Sequence, residues 1–303
     1  MGPVQAPRAS RARRASEGIA YFMGIPLGAM RRKTSALGTL ARNERRVCSL
    51  PRLGRIRPKG ISDSGDAGGM LSAEQNPQGK DKPMSSMEEV WAYREETLYP
   101  QLFGEKRSGI YVLDFDVFSS LGAEDIDPAW LHLGVFEFEP TPARNSWLYV
   151  TSGGSTPWGT EPDEYDPEEY SWLGSELVIE VHSQPEDQWA IKLLRRLLAF
   201  NVLLAHGRFG EDKPLLDYGD RIPMGDVIRE KGAVGLRNIV LAEPKHYPAT
   251  AQLASGKFDF LHVVGITDSE KDWAKAHSSE ALVRLLEVHG GFPVTDPGRK
   301  AVA

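Results

Sequence analysis

The 303-residue chain holds a single cysteine, Cys48. One thiol excludes an intramolecular disulfide framework and a cysteine-based zinc knuckle, and it agrees with a reducing, cytoplasmic setting. Long apolar runs are also missing. None approaches the roughly 18–20 residues that a membrane-spanning helix needs, so the chain is read as soluble, without membrane contact. No GxxxxGK[ST] phosphate loop occurs, and no GxGxxG stands between a strand and a helix. The seven histidines, His132, His182, His206, His246, His262, His277 and His289, are scattered. None is paired at the i, i+4 spacing of a helical zinc motif, so no metal and no cofactor is expected.

Charge is present but unevenly spread. Residues 1–60 carry 14 Arg and Lys against two Glu, whereas residues 84–303 carry 20 basic and 36 acidic residues. A basic head therefore precedes an acidic body. The head shows no sustained apolar period and is read as disordered. It is poor in the aromatics that stack bases, which argues against a nucleic-acid arm. Its Arg-rich, acid-poor composition also matches an organelle transit peptide. Met84 and Met87 stand just before the first amphipathic segment, so the head is either a tail or sequence upstream of the true start. Residues 61–83, rich in Gly, Ser, Asp, Gln and Pro, read as a linker. The folded domain is expected over 84–303.

Within that body, Ser86 or Ser85 caps a helix running to about Leu98, ended by Pro100 and Gly104. Strand character follows at Gly109–Leu113, Leu131–Phe138 and Trp147–Thr151. Glu176–His182 alternates, with Leu177, Ile179 and Val181 on one face and Glu176, Val178, Glu180 and His182 on a face expected near water. Ser183-Gln184-Pro185-Glu186 has the form of a capping box opening a long helix, whose stripe is Trp189, Leu193, Leu194, Leu197 and Leu198 and whose stop is Gly207. Lys192, Arg195 and Arg196 lie off that stripe. Leu236–Leu241 and Phe258–Val264 are further strands. Thr267 to Glu270 is another capping box, and Ser278 or Ser279 caps a last helix ending at Gly290-Gly291. This order predicts an α+β fold: a mixed, largely antiparallel sheet with helices packed on one side.

Two stretches invite a chemical reading. Thr151-Ser152-Gly153-Gly154-Ser155 follows a strand, and a hydrolase using Ser152 or Ser155 is the enzyme alternative. The nucleophile elbow, however, needs Gly-x-Ser-x-Gly with a helix behind it, and here a proline-broken acidic run follows. That run, Glu161 to Glu169, lacks the alternating ligands and central Gly of a calcium loop. It is either a solvated loop or a negative recognition edge anchored by Trp158, Tyr165, Tyr170 and Trp172. As an edge it suits a basic protein and repels nucleic acid.

In order along the chain stand Trp147-Leu148-Tyr149-Val150-Thr151-Ser152-Gly153-Gly154-Ser155, then Ser175-Glu176-Leu177-Val178-Ile179-Glu180-Val181. Trp189, Gly219-Asp220, and Phe258-Asp259-Phe260-Leu261-His262-Val263-Val264-Gly265-Ile266-Thr267-Asp268-Ser269-Glu270 follow, with the Leu282–Leu286 helix last. Over about residues 87–300 this series resembles the suppressor of fused family, in its single-domain bacterial form. The family's string commonly carries a larger apolar residue where Gly154 stands. The resemblance implies a non-enzymatic protein-binding domain. Animal members regulate Hedgehog signalling by holding a transcription factor, and bacterial ones are associated with neutralising a toxin. It further implies that Tyr149 matches a position at the peptide-binding surface, with the acidic loop continuing it. The expected partner-binding set is Tyr149, Ser152, Gly153, Ser155, Trp158, Asp163, Glu164, Tyr165 and Asp166.

Overall fold

Ser86, one of the two caps expected, starts the first helix. Its hydroxyl accepts from the Glu89 N–H at 3.2 Å, and the Glu89 carboxylate accepts from the Ser86 N–H at 2.8 Å. This reciprocal box opens α1, Met87–Tyr93. The computed structural model describes residues 86–210, 212–226, 228–229 and 235–303. The basic head 1–60, the linker 61–83, and Met84 with the alternative cap Ser85 lie outside the described residues.

Pro100 does not end the helix. A π-helical turn, Arg94–Leu98, follows α1, and the chain continues as α2, Tyr99–Phe103. Pro100 is carried inside this continuous helical run, directly after the π turn, and Gly104 supplies the stop. The π turn has a structural consequence. Residues five apart diverge by about 140° around an α-helix, whereas i→i−5 bonding brings them toward one face. Arg94 and Tyr99, joined by the Tyr99 N–H to Arg94 carbonyl bond, are both fully buried.

The remaining elements are β1 (Tyr111–Val112), α3 (Phe115–Ser120), β2 (Gly134–Phe138), β3 (Trp147–Ser152), β4 (Tyr170–Val181), α4 (Trp189–Ala205), β5 (Arg221–Pro223), β6 (Asn238–Ala242), β7 (Thr250–Leu253), β8 (Gly256–Ile266), α5 (Asp268–Ala276) and α6 (Ser279–Val288). The strands form one mixed sheet in the order β1-β2-β3-β4-β8-β6-β5, with β7 also on β8. Among these pairings β4 with β8 is parallel and the others are antiparallel. The α+β class and the largely antiparallel sheet are thus as the sequence predicts. The short strands β5 and β7 escape it, because Arg221–Pro223 and Thr250–Leu253, at 3 and 4 residues, are too short to establish a period.

Alternation along the strands assigns the two faces. Val135, Tyr149, Leu177, Ile179, Ile239, Leu241, Leu261 and Val263 point to α4. On the other face, Phe136, Phe138, Leu148, Val150, Val178, Phe258 and Phe260 meet Val90, Tyr99 and Phe103 of α1–α2. Val240, Val264 and Ile266 meet Ala274, Leu282 and Leu286 of α5–α6. Helices therefore cover this second face too, which the sequence leaves near water. Of the polar residues expected there, His182, just past the end of β4, is exposed, whereas Glu176 and Glu180 are fully buried.

The capping box expected at Ser183 is not formed. Gln184 is drawn into contacts with Glu137 and Arg107, and α4 begins at Trp189 behind Gln188 in a left-handed conformation, φ 52°. The end of α4 is as expected: the Arg208 N–H closes on the Leu203 carbonyl at 3.0 Å across Gly207. Ser278 caps α6, with its hydroxyl accepting from the Ala281 N–H at 3.0 Å. Thr267 and Glu270 form their box at α5.

Glu270 also clamps the C-terminal segment. Its oxygens accept from Arg299 Nη1 at 2.6 Å and Nη2 at 2.7 Å, and from the Val302 N–H at 2.9 Å. Burial alone raises this carboxyl's pKa, but the Arg299 bonds and the backbone donors outweigh it and hold the pKa below its ordinary value. A carboxylate depressed in the folded state stabilises the fold above its unfolded pKa and loses that contribution as pH falls through the folded one. Urea unfolding from pH 6 downward should therefore show a fall in stability below about pH 4.3, the ordinary Glu value. The fall should be shallower in Glu270→Gln; equal slopes in the two proteins would mean that Glu270 carries none of it.

Candidate functional site

The connection from β3 to β4 is held from below by a buried polar network. Glu176 Oε1 accepts from the Gly153 N–H (3.1 Å), the Ser155 N–H (2.9 Å) and the Ser155 hydroxyl (2.7 Å). Its Oε2 accepts from Thr151 Oγ1 at 2.6 Å. Arg94 reaches in from the π turn. Its Nη1 donates to Ser155 Oγ and Thr156 Oγ1, both at 3.0 Å, and its Nη2 to Ser152 Oγ at 2.8 Å. The guanidinium lies 3.8 Å from Glu176 and 3.5 Å from Glu95. Glu95 accepts from the Ser152 hydroxyl and from Trp91 Nε1. The string Thr151–Ser155 is thus a socket for the N-terminal helix.

That geometry bears on the two serines of the hydrolase alternative. Ser152 and Ser155 are buried, their hydroxyls donate to Glu95 and Glu176, and both accept from Arg94. Neither hydrogen-bonds a histidine, so the nucleophile–base pair that such chemistry needs is not assembled at either serine. Gly154 is explained by the same packing. A Cβ there would come within 2.3 Å of the Ser175 carbonyl oxygen.

Above the socket the surface is aromatic and acidic. Trp158 packs edge-on to Trp91 and to Trp172, at 6.4 Å from each, and Trp91 to His132 at 6.3 Å. All four are partly exposed. Trp172 adopts φ 52°, uncommon for a bulky residue, where the β4–β8 register shifts between Tyr170 and Ser175. Irregularities of this kind re-aim side chains, and this one stands beside Trp158. Trp158 Nε1 finds no acceptor among the described residues.

Glu161, Asp163, Glu164, Asp166, Glu168 and Glu169 are all exposed, and none pairs with a described cation. The loop is nonetheless pinned. The Lys257 N–H donates to the Glu169 carbonyl at 2.8 Å, and Gln252 Nε2 to that of Pro167 at 3.0 Å. Gly256 allows this approach, since a Cβ there would meet the Glu169 oxygen at 2.7 Å. Tyr165 is half-buried beneath the loop. Burial, then the neighbouring Glu88 and Glu161, push its hydroxyl above the usual tyrosine range.

The expected set therefore divides. Trp158, Asp163, Glu164, Tyr165 and Asp166 share this surface. Tyr149 does not: it is 1% exposed, covered on the α4 face, with its hydroxyl donating to Glu137 at 3.0 Å. Burial, then Glu137, raise its pKa far above the ordinary value. Tyr149 stands apart from the Trp158 surface, within the layer between the sheet and α4, where it lines a recess with Tyr111 and Gln184. Ser152, Gly153 and Ser155 are likewise inside, as supports of the loop. Sequence reasoning missed Arg94, Glu95 and Gly256. A lone Arg on an amphipathic helix gives no sign that a π turn will bury it. No group of three metal-ligating side chains occurs among the described residues.

Residues 129–300, which include β2 through α6, match the family described as suppressor of fused protein. The chain belongs to the suppressor of fused family. The fold of the Sufu–Fu complex crystal structure is similar, at 20% identity and a TM-score of 0.50 over 73% of this chain and 93% of that one. A suppressor of fused homolog from Neisseria gonorrhoeae FA 1090 is 17% identical over 71% of this chain and 94% of that chain, with a TM-score of 0.47. Drosophila Suppressor of Fused is 21% identical over 56% of this chain and 42% of that chain, with a TM-score of 0.43. No curated protein matches significantly. Among the described residues of this suppressor of fused domain, no helix is long and apolar enough to cross a membrane.

Proposed function

We propose that this chain is a non-enzymatic, cytoplasmic binding protein that holds a basic protein, in the manner of a bacterial immunity protein holding a toxin. The observation that carries the reading is the partly exposed Trp91–Trp158–Trp172 cluster bordered by six acids without described counter-ions. Large aromatics dominate binding hot spots, and unpaired acids of one sign select a partner of the other and repel nucleic acid. A relative solved in complex with Fu supports a protein as the partner class.

The two parts of the surface should act on different rates. Exposed charge speeds encounter and is screened over about 8 Å at physiological salt, whereas desolvated aromatics slow departure. With a partner captured from the native host and purified, the triple change Asp163→Asn, Glu164→Gln, Asp166→Asn should slow association about tenfold at low salt and flatten its salt dependence. Trp158→Ala should instead speed dissociation about thirtyfold, the equivalent of about 2 kcal/mol at a hot spot. Unchanged kinetics in both variants would move the interface elsewhere.

A further inference from the structure

A second recessed site lies on the α4 face of the sheet, toward the end of β3 away from the acidic loop. Glu137 of β2 is 1% exposed, and its carboxylate is met by neutral donors. Tyr149 Oη and Gln184 Nε2 donate to Oε1 at 3.0 Å each, and Tyr111 Oη to Oε2 at 3.4 Å. An ionised carboxylate offers about four acceptor sites, so Oε2 keeps capacity to spare. Glu137 forms no ion pair with a described residue. Arg107 stands nearby but is engaged elsewhere: it donates to Gln184 Oε1, lies 3.8 Å from Glu139, and sits over the Trp147 ring at 5.0 Å.

A cavity of about 180 Å³ opens beside this carboxylate, with Tyr111, Tyr149, Gln184, Glu186, Gln188 and Ile191 in its walls. Gln188 holds a left-handed backbone, φ 52°, at that wall. Conformations of this kind in residues other than glycine collect at ligand clamps. A buried carboxylate without a counter-ion is costly to keep, and the missing element is a cation. Tyrosine rings and the Ile191 side chain suit an alkyl stem and a cationic head, which aromatic faces attract.

We infer that this pocket takes the guanidinium or ammonium end of an arginine or lysine side chain from a bound peptide. The site is separate from the Trp158 surface and stands or falls independently of it. The test uses the full chain and calorimetric titration with N-acetyl-arginine methylamide and N-acetyl-lysine methylamide. Their neutral comparator is N-acetyl-citrulline methylamide. At least one cationic probe should bind saturably and at least tenfold more tightly than citrulline. Glu137→Gln should remove that preference, whereas Trp158→Ala should leave it unchanged. Gln184→Lys, at an exposed position, supplies an internal ammonium and should weaken the cationic probe at least tenfold even if Glu137→Gln folds poorly. Equal binding of citrulline, absence of binding, or full affinity in Gln184→Lys overturns the proposal. Agmatine binding more tightly than blocked arginine would overturn the peptide assignment in favour of a free amine.

Discussion

Arg94→Met is expected to lower the free energy of unfolding by about 3–5 kcal/mol, the range for breaking a buried ion pair from one side. Arg94 is fully buried, its guanidinium donates to three hydroxyls, and it faces Glu176 at 3.8 Å. Removing it leaves Glu176, itself fully buried, without its cation and three hydroxyls without a donor. Adding Glu176→Gln should recover part of the loss, because the stranded charge goes with it. Arg284→Ala provides the contrast: its pair with Glu280 is mostly exposed and is worth about 0.3–0.5 kcal/mol. Urea unfolding measures all of these. A loss below about 1 kcal/mol in Arg94→Met, no more than an ordinary point mutation, would mean that the network is open to water.

The second large effect belongs to α4. Leu194→Ala and Leu197→Ala should each cost about 2–5 kcal/mol, since both side chains are fully buried and their removal leaves cavities. Arg195→Ala on the other side of the helix loses its partly exposed ion pair with Asp114. That loss should stay within about 1 kcal/mol. Similar losses at all three positions, read from denaturant midpoints at constant slope, would contradict the assigned face.

Where local signals dominate, the sequence is read correctly. The cap at Ser86, the box at Thr267, the Ser278 cap, the glycine stops after α4 and α6, and the apolar strands are all set by residues close to one another in sequence. At Ser183 the same kind of signal misleads, because Gln184 finds partners on Glu137 and Arg107 that lie far off in sequence.

By itself, then, the sequence determined the α+β class, most strand positions, the leucine stripe of α4 and the acidic, aromatic character of the loop after β3. Each follows from periodicity, capping chemistry or local charge. Only the tertiary structure decided which residues that loop presents. Alternation along Trp147–Ser152 cannot show that both faces of the sheet are roofed, so Tyr149 and Ser152 look available in sequence and are interior in fact. Nor can it show that a π turn carries Arg94 under Ser155. Burial of a polar residue depends on what packs over it from elsewhere in the chain, and no local pattern encodes that.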